Sequence, residues 1–94
     1  MNYDNFIKLT KESKPSDALS DIQLALWHAF KDNWDVAHSI VQEINTETAS
    51  WIQAYLHRSE GDLVNANYWY NRAEKKSSNE PLEIELNNIL KSVL

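Results

Sequence analysis

A repeat inside the chain limits its fold more than any other feature. His28 and His57 lie 57 − 28 = 29 residues apart, and Ala37 and Ala66 the same 66 − 37 = 29. At this shift Asp32 falls on Gly61, Trp34 on Leu63, Ile40 on Trp69, Val41 on Tyr70 and Ile44 on Ala73. Each unit reads as a helix, a two-residue turn and a returning helix. One such hairpin cannot bury its apolar face alone, so the two are expected to stack. The second, Ala49 to Lys76, carries the only glycine of the chain, at the turn Gly61-Asp62.

Start and stop signals place the helices. Asn2 to Glu12 is expected as a short helix with Tyr3, Phe6 and Ile7 on one face, broken by the segment Ser13 to Asp17, where Pro15 disfavours helix at the residue before it. Ser20 and Gln23 form a capping box for a helix from Asp21 to Lys31 that is apolar nearly all round, and is therefore central. Asp32-Asn33 is turn and cap chemistry. The next helix carries a buried stripe of Val36, Ala37, Ile40, Val41 and Ile44. Thr46 caps a helix from Glu47 to Glu60. Gly61 sits where a helix end needs positive φ, and Asp62 caps a helix that buries Leu63, Ala66, Trp69 or Tyr70, and Ala73. After Pro81 a last helix shows Leu82, Leu86, Ile89, Leu90 and Val93 at helical spacing. No stretch reads as a strand. The expectation is one all-α domain over residues 1–94: two stacked antiparallel hairpins, a short N-terminal segment and a C-terminal capping helix.

The stretch GDLVNANYWYNRAEK resembles the turn and second helix of a tetratricopeptide repeat, with Gly61, Ala66, Tyr70 and Ala73 on family positions and Ala54 on the small position of the first helix. Ala25 and Ala37 fit in the first unit, while Asp32, Val41 and Ile44 are substitutions. The family repeat is longer than this offset, which implies a short loop between units. The residues Trp27, Trp34, His38, Trp51, His57, Arg58, Glu60 and Tyr68 to Tyr70 also resemble a group of small bacterial proteins, and that resemblance implies no activity.

Composition removes several function classes. With 14 acidic and 9 basic residues the net charge is −5, which argues against a nucleic-acid backbone or an anionic membrane as partner. The chain has no cysteine, so disulfides, thiolate zinc sites and cysteine nucleophiles are excluded. A single glycine leaves no phosphate loop and no nucleophile elbow. The N-terminus lacks the apolar core of a signal peptide, and no run is long enough to span a bilayer, so a cytoplasmic protein without a cofactor is expected.

Two constellations remain. If the tetratricopeptide resemblance holds, Trp51, Tyr55, Arg58 and Ser59 face the concave groove in which such repeats take extended peptides, and Leu26 and Phe30 continue that wall. Arginine can grip a carboxylate with two parallel bonds while Trp and Tyr supply flat apolar area. The same Arg58 can instead be a structural ion pair with Glu60, Asp62 or a carboxylate of the helix that carries Val36 to Ile44. The leading function is thus a non-catalytic module for a protein or peptide partner. The second constellation is His28, His38 and His57 with Glu60, which could hold a divalent metal or move protons and would make the protein a small enzyme or a metal-binding protein; alternatively His28 and His57 fill positions where the repeat family packs an aromatic. Glu80, Glu83 and Glu85 read as a solvated face. Because Tyr68 and Trp69 point about 100° apart on a helix, some aromatic surface should be exposed.

Overall fold

Side-chain caps fix where four of the six helices begin. A computed structural model describes the whole chain, Met1–Leu94, as six helices and no strand. The Asn2 side chain accepts from the Asn5 amide to start α1, Tyr3–Leu9. Ser20 and Gln23 exchange both bonds of the capping box at α2, Asp21–Phe30. The turn before α3, Trp34–Val41, carries no side-chain cap, since the Asn33 amide lies against the His28 ring instead. Thr46 caps α4, Glu47–Ser59, and Asp62 caps α5, Leu63–Arg72. Pro81, which has no amide proton to leave unpaired, leads into α6, Leu82–Ser92.

The helix ends repeat as the sequence does. After α2, Asp32 adopts φ 57° and the Asn33 amide donates to the His28 carbonyl at 2.9 Å. After α4, Gly61 adopts φ 83° and the Asp62 amide donates to His57 at 2.9 Å. The end of α5 uses the same device, with Glu74 at φ 56° and the Lys75 amide on the Tyr70 carbonyl at 3.0 Å. All three are left-handed caps that satisfy carbonyls the helix would otherwise leave unpaired. Only one of the three uses the residue type that takes this backbone without strain.

Within each hairpin the helices are antiparallel neighbours, α2 with α3 and α4 with α5; α3 packs on α4 and so joins the two. Ala66 lies fully buried against Ala54 and Tyr70, the close approach that a small residue permits. Helix α6 then crosses the first helices of both hairpins, inserting Leu86, Ile89 and Leu90 into the main core beside Leu26, Ile52 and Leu56. The N-terminal segment is part of the same core. Phe6 is fully buried and packs against Phe30, the Trp27 indole donates to the Leu9 carbonyl, and the Tyr3 hydroxyl donates to Asn87 of α6.

Several expected core positions are at the surface. Val36 and Leu82 lie near the start of their helices and are partly uncovered, and Leu63 is 61% exposed because nothing packs over the outer face of α5. Of the pair left open by the periodicity, Tyr70 is the buried one and Trp69 only half-buried.

The caps predict opposite responses. A Cβ on Gly61 would meet no atom within 4 Å, so only its φ resists substitution. Gly61→Val should therefore cost more than about 1 kcal/mol and Gly61→Asn less, whereas Glu74→Gly should stabilise by about 0.5–1 kcal/mol. Urea unfolding of the three variants measures each difference.

Candidate functional site

The face of α4 that carries Trp51, Tyr55 and Arg58 points at α6, and the residue it meets there is Glu85. This carboxylate is 2% exposed and accepts three side-chain bonds. Arg58 donates to Oε1 at 3.0 Å, and Tyr70 and Trp51 donate to Oε2 at 2.6 and 3.2 Å. The other guanidinium arm bonds the Glu80 carbonyl in the loop before α6. Glu85 is thus no part of a solvated face, as the acidic run had suggested. It replaces the water it loses with one cation and two neutral donors. The Tyr70 hydroxyl is pushed well above the usual tyrosine range, first by burial and then by its bond to Glu85. Arg58 is mostly buried, at 16% exposure, and holds one of only two ion pairs in the molecule.

Past Arg58 the wall changes character. Ser59 is exposed and spends its hydroxyl on the Leu56 carbonyl of its own helix. Tyr55, by contrast, opens with Phe30 into a cleft of about 560 Å³ between α2, α4 and α6, lined also by Ala29, Leu82 and Leu86 and rimmed by Asp32 and Glu83. Burial, with Asp32 and Glu85 nearby, raises the Tyr55 hydroxyl against the opposing pull of Arg58. The predicted wall is therefore divided: Trp51 and Arg58 lie under α6, and Phe30 and Tyr55 remain at an opening.

The histidines also separate. His28 stands edge-on to Trp27, with its Nδ1 3.1 Å from the Asn33 amide, and burial lowers its pKa. His38 and His57 come together, their ring centroids 5.4 Å apart and nearly perpendicular. Trp34 stacks flat on His38 at 4.7 Å, touches His57 edge-on, and is itself fixed by its indole bond to the Leu56 carbonyl. His57 Nδ1 lies 2.9 Å from Glu60 Oε1, and one ligand atom each from His57, Glu60 and Asp62 falls within 4.8 Å of the others. His38 is lowered chiefly by burial and next by His57, against Glu60 and Asp35. Sequence spacing sets His57 and Glu60 in one turn, whereas Asp62 was expected there as a helix cap or a partner of Arg58 and not beside His57.

On the far side of α5 a third feature faces outward. Val64 is 83% and Tyr68 52% exposed, and Arg72 lies over the rings of Tyr68 and Trp69. This is the exposed aromatic surface that the spacing of Tyr68 and Trp69 required. No helix of the protein is long and apolar enough to cross a membrane.

Arg58→Ala should cost about 3–5 kcal/mol in chemical unfolding, because it strands the Glu85 carboxylate in the core. Arg58→Met combined with Glu85→Gln should cost less than Arg58→Ala alone, since no orphan charge remains. The tyrosines set a pH response. Both Tyr55 and Tyr70 are raised from 10.0, so the unfolded chain loses these protons first. Their contribution is complete below pH 10 and is lost as pH rises above it. Melting temperature followed between neutral and strongly alkaline pH should fall through that range, and Tyr70→Phe should flatten the fall.

Comparison with family models, with curated proteins and with solved structures finds no match to this chain.

Proposed function

We propose that the protein is a non-catalytic module that binds a peptide or protein segment in the cleft between α2, α4 and α6. The observation that carries this reading is the cleft itself: an open apolar hollow with Phe30 and Tyr55 in its wall and the carboxylates Asp32 and Glu83 at its rim. It lies along the first helices of the two hairpins, the face on which tetratricopeptide repeats take their peptides. Helix α6 covers the Trp51–Arg58 end of that face, so the partner is met by the shorter remaining stretch. An apolar side chain seated between Phe30, Leu82 and Leu86 supplies roughly 1.5–3 kcal/mol, and a lysine or arginine beside it answers the acidic rim. One anchor of this size gives a weak complex unless flanking residues add to it.

Selection from a random peptide library on the intact protein tests the reading. The recovered sequences should pair an apolar or aromatic residue with a neighbouring Lys or Arg. Their affinity should fall by at least about tenfold in Leu82→Lys and Glu83→Lys, and should weaken with salt. Peptides that perturb the amide resonances of Val64 and Tyr68 on α5, and leave Phe30 and Tyr55 unmoved, would place the interaction surface elsewhere. Selection without enrichment would remove the cleft as a binding site.

A further inference from the structure

The two hairpins share their turn geometry, which makes the first a reference for the second. At the repeat offset Lys31 corresponds to Glu60, Asn33 to Asp62 and Asn67 to His38, while His28 corresponds to His57. Lys31, at the C-terminal end of α2, suits the negative end of the helix dipole and bonds the carbonyls of Thr10 and Glu12. Glu60 occupies the same end of α4 with the opposite charge, where the dipole disfavours it. The turn needs no carboxylate at that place, as the first hairpin demonstrates. Its sole ion-pair partner is His57, and no lysine or arginine pairs with Asp62 either.

The groups that converge on this turn are nitrogen and oxygen donors of the kind that bind metals. His57, Glu60 and Asp62 already place one donor atom each within 4.8 Å of one another. His38 approaches from α3 with its ring centroid 5.4 Å from that of His57. Two imidazoles bound to one tetrahedral zinc have centroids about 5 Å apart, given metal–nitrogen bonds near 2.0–2.1 Å. Trp34 limits the freedom of both rings from one side, and the exposed Glu60 side chain is free to close the remaining distance. Imidazole with carboxylate suits zinc, cobalt or nickel and does not suit calcium or magnesium, which prefer all-oxygen sites.

We propose that His38, His57, Glu60 and Asp62 bind a divalent transition metal, zinc foremost, which ties α3 of the first hairpin to the α4–α5 turn of the second. The site shares no residue with the cleft, so each stands or falls without the other. His28 is excluded from it, engaged with Asn33 and Trp27 in its own hairpin.

The experiment uses untagged, chelator-treated protein titrated with zinc chloride and, for its visible spectrum, cobalt chloride. One equivalent should bind saturably and raise the melting temperature, while magnesium and calcium chlorides do neither. His38→Gln, His57→Gln and Glu60→Gln should each weaken binding at least about tenfold, with His28→Gln unchanged. In the wild-type protein, zinc should shift the ring resonances of His38 and His57 and leave those of His28 in place, a readout that needs no variant to fold. Absence of saturable one-to-one binding overturns the proposal. So does a loss in His28→Gln equal to that in His57→Gln, or full affinity in a folded His38→Gln protein.

Discussion

A carboxylate in the core decides how this chain closes. Glu85 brings together Trp51 and Arg58 from α4 and Tyr70 from α5, and it sits on α6, so one side chain joins three helices. Burying a charge is unfavourable unless its partners replace water well, and three donors in fixed directions are a stricter condition than apolar contact. Apolar contact is non-directional, whereas a shift of one turn leaves the Glu85 carboxylate and the Arg58 guanidinium both unpaired. The register of α6 on the hairpins therefore rests on this cluster, and the apolar residues Leu86, Ile89 and Leu90 supply the area once it is set.

The rest of the architecture was readable because it is local. Capping boxes, turn residues and helical periodicity act within a few positions, and the offset that sets Asp32 opposite Gly61 coincides with a positive φ at both, although only Gly61 was expected to adopt it. Glu85 was misread since its neighbours Glu80 and Glu83 are exposed, yet a signal was present. It stands three residues after Leu82 and four before Ile89, inside the apolar stripe of α6. An acid within such a stripe and an arginine within an aromatic one are each anomalous, and together they name a pair. Leu63 and Val36 were misplaced for the converse reason. Periodicity tells which residues share a face, and it does not tell whether another helix lies over the first turn of that face.

Sites were less legible than helices, because they depend on how hairpins lie against each other. Sequence spacing suggested that three histidines could cluster. Stacking of the hairpins selects His38 and His57, and leaves His28 one repeat away beside the Asn33 side-chain amide. Likewise Trp51, Tyr55 and Arg58 do share one face of α4, but nothing within α4 tells that the chain supplies its own helix to cover half of it. The cleft at Phe30 and Tyr55 is what that covering leaves.

The bond between Tyr3 and Asn87 spans nearly the whole sequence, and α1 and α6 share one core. Hairpin contacts close short loops and form early, whereas this seam joins the first helix to the last. On a ribosome α1 emerges first, and Phe6 can meet Phe30 of α2 within a short length of chain. The faces of α2 and α4 that α6 covers nevertheless stay open to water until the later segment has been made. During synthesis the nascent protein thus exposes Leu26, Ile52 and Leu56 along a bare strip, with the Arg58 cation at one end of it. That strip is open to a chaperone or to another nascent copy only until α6 docks over it.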